Sequence, residues 1–365
     1  MTRISLTGAN GFLGWHTRGA AHAQGISFAP IAVGDDFDLA AATDAISGTD
    51  RLIHIAGVNR ASDPEVLEGN IRFAQQLASA LDRATPAPSV VVFANSTQAG
   101  NGTTYGAAKQ EAADILRGAA GRAGAEFVDL HLPNLFGEHG RPFYNSVVAT
   151  FSHLLASGGN PEIDQDRELT LLHAQNAADA LLGSVDDDAL AALDARETVT
   201  GLLTRLREIS SVYSRGGEIP DIAHPFDRDL FNTYRAAAFP NGTPIRLRRH
   251  ADNRGSFFEI VRSHGGAGQS SFSTTVSGVT RGDHYHRRKV ERFTVISGEA
   301  TIKLRKLFST EVFEFRLDGT SPASIDMPTM WAHNITNVGE TDLYTSFWSN
   351  ELFDSERPDT IAEPV

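Results

Sequence analysis

One stretch near the N-terminus narrows the fold more than any other. Arg3-Ile4-Ser5-Leu6 is strand-like and runs straight into Thr7-Gly8-Ala9-Asn10-Gly11-Phe12-Leu13-Gly14, after which a helical pattern opens. Glycines in such a turn let the backbone bend tightly and approach a pyrophosphate. The helix N-terminus adds N–H donors and the positive end of its dipole. Gly8, Asn10, Gly11, Phe12, Leu13 and Gly14 are therefore candidate dinucleotide-binding residues; a plain strand–helix turn is the alternative. Leu52–Ala56, Val90–Phe93 and Phe127–Leu130 then read as buried strands, with Ile71, Ala74, Leu77, Ala78 and Leu81 at helical spacing between them. That βαβαβ order implies a Rossmann-like, doubly wound parallel sheet. Helical stretches continue to about residue 210, and Ser214–Asp221 reads as a loop. The acidic run Asp186-Asp187-Asp188 reads as a solvated loop beside a helix.

The second strand, Ser27–Val33, ends at Gly34-Asp35-Asp36. Asp35 lies about 20 residues beyond Gly14, the separation expected of an acidic residue that accepts from the adenosine ribose hydroxyls. A carboxylate there repels the extra phosphate of NADP, and no arginine stands beside it in the sequence, so NAD is favoured; an ordinary loop aspartate is the alternative. Further on, Tyr105 and Lys109 sit at i and i+4 of a helical pattern and share a face. A tyrosine near its reference pKa of about 10 is a poor acid–base group at neutral pH. A neighbouring ammonium lowers that pKa and makes the phenol a proton donor to a carbonyl undergoing reduction. Ser96 follows the strand Val90–Ala94, at the carboxyl edge where such sheets bind ligands. Ser96, Tyr105 and Lys109 are the candidate catalytic set, and the resemblance given below implies that Tyr105 and Lys109 also touch the dinucleotide.

From about residue 245 the texture changes. Ser256–Val261, Ser271–Val276, Arg292–Ile296, Ala300–Leu304, Glu311–Phe315 and Tyr344–Trp348 read as short, closely spaced strands, the signature of an all-β sandwich or barrel. The boundary falls near Pro240–Pro244, giving domains 1–243 and 244–365. The chain of 365 residues is long enough for two cores. Its net charge of −13 argues against nucleic acid as a partner, while leaving room for one small phosphorylated substrate. Apolar runs stay short of the roughly 18 residues a membrane helix needs, and no signal-peptide pattern opens the chain. The expected location is the cytoplasm.

There are no cysteines, so any metal must sit on imidazole and carboxylate. In Gly282-Asp283-His284-Tyr285-His286, the two histidines share a strand face. Glu291 can return on the adjoining strand, and His333 lies in Pro328-Thr329-Met330-Trp331-Ala332-His333-Asn334. Three imidazoles and a carboxylate suit one divalent ion, with zinc expected among zinc, nickel, manganese and iron(II). Surface histidines, or a metal-free site in which the histidines do acid–base work, are the alternatives.

These motifs carry resemblances. Thr7–Gly14, Ser96, Tyr105 and Lys109 resemble the extended short-chain dehydrogenase/reductase superfamily, and Leu132-Pro133-Asn134-Leu135-Phe136-Gly137 resembles its substrate-side segment, whose asparagine, here Asn134, faces a sugar nucleotide. His54-Ile55-Ala56-Gly57-Val58-Asn59-Arg60 and Phe143-Tyr144-Asn145-Ser146-Val147 resemble the CapF-type bifunctional enzymes of capsular polysaccharide synthesis. That resemblance implies Ala56 and Gly57 at the dinucleotide and Asn59, Arg60 and Asn145 at a UDP-sugar. Those relatives carry a basic residue about where Asp35 stands, as befits NADP. The histidine pattern resembles the two cupin motifs, with Met330 where the pattern has glycine. Asp252–Glu259 and Gly278–His284 resemble the keto-deoxysugar epimerases of the cupin class. From this, Arg254, Glu259 and Arg281 would hold the nucleotide, and His284 would be either the base at a carbon next to a ketone or a metal ligand. The implied protein is a cytoplasmic homodimer joined through its cupin. It would epimerise a UDP-linked 4-keto-6-deoxy-N-acetylhexosamine at C3 and then reduce its C4 ketone.

Overall fold

The computed structural model describes residues 2–365; the side chains of Asp187, Asp188 and Pro240 lie outside the described residues, and with them most of the acidic run. The chain clusters into two compact units. One runs through Phe136 and takes in Tyr144–Ser146 and Glu168–Glu197; the other comprises Gly137–Phe143, Val147–Arg167 and Thr198–Val365.

The first unit alternates β1 (Arg3–Thr7), α1 (Phe12–Ala23), β2 (Ser27–Ile31), α2 (Leu39–Ile46), β3 (Arg51–His54), α3 (Asp63–Leu81), β4 (Val90–Ser96), α4 (Thr104–Ala123) and β5 (Glu126–Leu132). The strands form one parallel sheet in the order β2-β1-β3-β4-β5. One face buries Ile4, Leu6, Ile53 and Val92 against α1; the other buries Leu52, Val91 and Phe93 against α3 and α4. Burial on both faces is why these strands read as near-continuous apolar runs. The strand order reverses at β1, so the carboxyl ends of β1 and β3 form a ligand-binding crevice. The second strand is shorter than expected: after Ile31 the chain leaves the sheet and turns at Gly34, whose φ of 88° only glycine adopts freely.

The chain continues through β6 (Asn134–Phe136), α5 (Val147–Ala156), β7 (Glu168–His173), α6 (Ala174–Leu182), α7 (Asp187–Ala191) and β8 (Ala195–Thr198), then α8 (Val199–Tyr213) and α9 (Pro225–Gly242). The strands β6, β7 and β8 form a small sheet within a region whose sequence reads as helical throughout.

The all-β part comprises β9 (Ile245–Arg246), β10 (His250–Asp252), β11 (Gly255–Phe257), β12 (Gln269–Thr275), β13 (Thr280–Tyr285), β14 (Glu291–Ser297), β15 (Glu299–Lys306), β16 (Val312–Asp318), β17 (Ala323–Met327), β18 (Trp331–Asn337), β19 (Leu343–Ser349) and β20 (Ile361–Ala362). Two antiparallel five-stranded sheets, β12-β19-β14-β17-β9 and β16-β15-β18-β13-β20, enclose Phe293, Ile302, Leu304, Ile325 and Ile335. The strand expected over Ser256–Val261 is confined to Gly255–Phe257, because it pairs in a three-residue hairpin with β10.

Within the second unit, α8 is bound to the strands by a buried ionic cluster. Arg292 is 1% exposed and Asp326 4%. The guanidinium Nη2 of Arg292 donates to Asp326 Oδ2 at 2.8 Å, and the Tyr213 hydroxyl donates to the same oxygen at 2.9 Å. Removing one partner of such a pair leaves an uncompensated buried charge. Asp326→Ala is expected to cost about 3–5 kcal/mol, read as a lower denaturant midpoint for the unfolding of this unit.

Candidate functional site

The glycine-rich turn Thr7–Gly14 is built at the crevice between β1 and β3. Gly8 has φ 70°, and a Cβ on it would lie 2.8 Å from the Ala56 nitrogen. A Cβ on Gly14 would lie 2.0 Å from the Gly8 carbonyl oxygen. Only glycine permits this packing of turn, helix and loop. Gly11 caps α1 in extended conformation, and the Asn10 side chain accepts from Arg18 at 3.3 Å. Phe12 is half-buried and Leu13 buried at the start of α1. The Thr7 hydroxyl accepts from the N–H groups of Ile55 and Ala56 at 3.0 and 3.2 Å, which brings Ala56 and Gly57 beside the turn. Its own proton then goes to Nδ1 of His54 at 2.7 Å. The sequence reading missed His54; its signal was a polar residue ending an apolar strand. Burial, helped by Lys109, pushes the imidazole down to about 3, so it stays neutral.

Asp35 requires a correction. No arginine adjoins it in sequence, yet Arg72 of α3 places Nη2 2.5 Å from its carboxylate. The separation of 37 residues hides the pair from any local reading.

Ser96 ends β4, and Tyr105 and Lys109 lie one helical turn apart near the start of α4. Burial raises the Tyr105 phenol above its usual value, and the nearby Ser96 hydroxyl offsets only part of this. The sequence expectation was a phenol lowered by the ammonium. Here Lys109 Nζ instead donates to the Ala94 carbonyl at 2.8 Å and lies 4.2 Å from the Phe93 ring centroid. Burial depresses Lys109 to about 7, with Asp129 opposing the shift. The sign of the stability effect follows. Below about pH 7 Lys109 is charged in both folded and unfolded chains. Between about 7 and the ordinary lysine value of 10.5 only the unfolded chain holds the proton, so stability rises with pH across that window. Lys109→Met is expected to remove this increment, measured as the difference in thermal midpoint between wild type and variant across the same pH series.

Of the candidate substrate residues, Asn59, Arg60, Asn134 and Asn145 are all exposed. Asn59 accepts from the Tyr144 hydroxyl at 2.9 Å, and the Asn134 amide donates to the Thr170 carbonyl at 3.1 Å.

In the second unit the histidines converge as expected, with one change. Glu291 follows His286 in sequence but opens β14, which belongs to the sheet opposite β13. His284 is paired in register with His333 on β18, and Asp283 forms a bulge at φ 56° just before it. Glu291 Oε2 lies 2.9 Å from His286 Nε2, 3.1 Å from His333 Nε2 and 3.8 Å from His284 Nε2. One ligand atom from each of the four residues falls within 4.8 Å of the others. Burial alone would raise the Glu291 carboxyl, but the three imidazoles around it hold it well below the usual carboxylate range. His286 Nδ1 meets the Asp359 carbonyl at 2.5 Å and His333 Nδ1 the Trp331 carbonyl at 3.1 Å. Carbonyls only accept, so both protons sit on Nδ1 and both Nε2 atoms face the carboxylate. Nε2 lone pairs aimed at a carboxylate need a cation or a further proton between them, and the N₃O set fits one divalent ion.

Asp359 was also missed. Its carboxylate accepts from the N–H groups of Arg287, Arg288 and Lys289 at 2.8–3.0 Å and pins the turn leading into Glu291. Met330 takes the glycine-like conformation at φ 64°, fully buried, and its N–H donates to the His286 carbonyl at 2.7 Å. The turn before His333 is thus kept without glycine. Arg254 and Glu259 are held in separate exposed pairs, with Asp252 and Arg262 respectively, and Arg281 is exposed.

Residues 4–190 match the model of the NAD dependent epimerase/dehydratase family. The chain belongs to that family. Residues 250–361 match the polysaccharide biosynthesis C-terminal domain, so the family's reductase-type domain is here fused to a cupin in the CapF-type arrangement. Over 372 aligned residues the chain is 31% identical to the UDP-2-acetamido-2,6-beta-L-arabino-hexul-4-ose reductase of Pseudomonas aeruginosa, covering 99% of this chain and 98% of that protein. The crystal structure of the capsular polysaccharide assembling protein CapF from Staphylococcus aureus is similar at 29% identity and a TM-score of 0.62, covering 99% of this chain and all of that one. The spore coat polysaccharide biosynthesis protein SpsL of Bacillus subtilis is 28% identical over 125 residues, 31% of this chain and 82% of its own length. The chain is an NAD(P)-dependent enzyme of this family. Among the described residues no helix is long and apolar enough to cross a membrane.

Proposed function

We propose that this chain is a cytoplasmic two-site enzyme acting on a UDP-linked 4-keto-6-deoxy-N-acetylhexosamine in surface polysaccharide synthesis. Its second unit epimerises C3, and its first unit reduces the C4 ketone. The observation that carries the reading is the joint presence of the Ser96–Tyr105–Lys109 group and the His284–His286–Glu291–His333 cluster in one chain, aligned end to end with a relative named as a hexul-4-ose reductase. The chemistry requires this order. The ketone at C4 acidifies the C3 proton and disappears only when it is reduced, so epimerisation comes first.

In the first unit the turn Thr7–Gly14 would hold a dinucleotide, which would supply hydride to the ketone carbon. Tyr105 gives its proton to the ketone oxygen, which becomes the alcohol, and Ser96 holds that oxygen. Lys109, one helical turn beyond the tyrosine, would help hold the nicotinamide ribose. In the second unit His286, Glu291 and His333 would hold a zinc ion, which supplies positive charge beside a developing enolate. His284 is the least buried of the three histidines, with 21% of its side chain exposed. It has one of two roles: a neutral base at C3, or a fourth ligand whose lone pair cannot take a proton. Arg254, Glu259 and Arg281 are proposed to hold the nucleotide. The homodimer is proposed to form through the cupin, where Phe272 on the outermost strand β12 is 62% exposed.

For the dinucleotide, Asp35 still favours NAD, but Arg72 beside it offers a guanidinium to a 2′-phosphate. Asp35→Ala frees that guanidinium and is expected to raise the preference for NADPH over NADH about tenfold, read from the two dissociation constants. A wild type that clearly prefers NADPH defeats the NAD assignment.

The test of the whole reading is incubation of the full-length protein with the 4-keto substrate in deuterated water. Deuterium should appear at C3 without nicotinamide, and the C4 alcohol only with it. Reduction without any exchange would make the cupin a sugar-binding module instead.

A further inference from the structure

Glu291 and Arg292 are neighbours on β14, and alternation along a strand sends them to opposite faces. Glu291 faces the histidines, whereas Arg292 lines a second cavity of about 420 Å³ on the other side of that sheet. This size is typical of small-ligand sites, roughly 300–1,000 Å³. Its walls are the glycine loop Arg215–Glu218, the strand exit Arg246–Arg248, and the stretch Phe257–Arg262. They are fixed by main-chain bonds: Ile219 N–H to the Arg262 carbonyl at 2.8 Å, His264 N–H to the Ile219 carbonyl at 3.0 Å, and Leu247 N–H to the Pro322 carbonyl at 3.0 Å. Gly216 and Gly217 both have positive φ, and a Cβ on Gly217 would strike the Ile245 side chain at 2.7 Å.

In a chain of net charge −13, this cavity is lined by five arginines and a histidine against Glu218 and Glu259. Two of the guanidiniums are already neutralised. Arg292 is paired with Asp326, and Arg262 is held by Glu259 at 2.7 Å and Glu218 at 3.3 Å. The other three are not. Arg215 donates to the Ser211 hydroxyl at 3.3 Å and lies in the field of Glu218. Among the described residues neither Arg246 nor Arg248 forms an ion pair, although Arg246 acts on Asp318. Five arginines against Glu218, Glu259 and Asp326 leave an excess of two positive charges on these walls, and this is offset when an anion joins them. The cavity lies on the opposite face of β14 from the imidazole cluster.

We infer that this cavity is an anion site taking the diphosphate of a small phosphorylated ligand on Arg215, Arg246 and Arg248. Two or three guanidiniums matched to two phosphate groups give charge-assisted, forked hydrogen bonds, and the apolar side chains of Ile260 and Val261 can cover whatever the diphosphate carries. The inference does not depend on the metal or on the Tyr105 chemistry.

The probe is inorganic pyrophosphate, titrated calorimetrically into the full-length protein, with UDP as the second ligand. The wild type should show a saturable site that weakens as salt rises. Arg246→Ala/Arg248→Ala should lose that site or weaken it at least about tenfold. The charge-keeping Arg246→Lys/Arg248→Lys should retain most of it. Arg248→Glu alone should abolish it and serves if the double variant folds poorly. Parallel loss of one UDP site would show that the natural ligand is a nucleoside diphosphate; UDP binding that stays unchanged would leave a simple diphosphate. Pyrophosphate affinity and stoichiometry that are the same in wild type and Arg248→Glu would overturn the inference. So would a wild type with no saturable binding.

Discussion

Tyr105→Phe is expected to lower ketone reduction by about 10²–10⁴-fold while leaving the dinucleotide dissociation constant essentially unchanged. The variant removes one oxygen, the one nearest the Ser96 side, and leaves the ring to fill its half-buried place at the start of α4. The glycine turn, the Thr7–Ala56 bond and Lys109 are untouched, so the cofactor still has its site. The contrast with Lys109 is informative. Lys109 is 4% exposed and donates to a main-chain carbonyl of β4, so its loss should weaken dinucleotide binding as well as turnover. Stopped-flow hydride transfer under single-turnover conditions separates the two. Near-normal transfer in Tyr105→Phe would show that another group is the acid.

Much of this arrangement is legible in the sequence, because the features that carry it are local or periodic. The glycine spacing of Thr7–Gly14 fixes a strand–turn–helix, and the i, i+4 spacing of Tyr105 and Lys109 puts them on one helical face. The i, i+2 spacing of His284 and His286 survives even though the structure inserts a bulge at Asp283. What the sequence hides is contact across long separations. Arg72 reaches Asp35 from another helix, Asp359 reaches the turn before Glu291 from the far end of the chain, and Asp326 meets Tyr213 from another element. None of these pairs has a spacing that marks it. Helix α9 was not read at all, since Pro225 and the scattered polar residues that follow obscure its period; Pro at its first turn is in fact a favourable start. Strands β17 and β18 were passed over because polar residues such as Asp326, His333 and Asn337 interrupt their apolar pattern, and each of these is buried for a reason of its own.

His286→Ala is expected to remove both bound metal and C3 proton exchange while sparing the reduction of an already epimerised substrate. His286 is the imidazole most firmly set in place. It is 3% exposed, its Nδ1 proton is directed to the Asp359 carbonyl, and its Nε2 lies closest of the three to Glu291. Its removal leaves two imidazoles and a carboxylate that burial penalises, so the affinity for a divalent ion should fall steeply. The reductase residues belong to the other compact unit, and nothing in the Tyr105 chemistry requires His286. Elemental analysis of the purified variant and deuterium uptake at C3 test the two halves separately. If exchange persists in the metal-free variant, the ion is structural, and an unliganded side chain, with His284 first in line, is the base. If wild type and variant alike neither bind metal nor catalyse exchange, the second unit is a sugar-binding module and the chemistry of this chain is reduction alone.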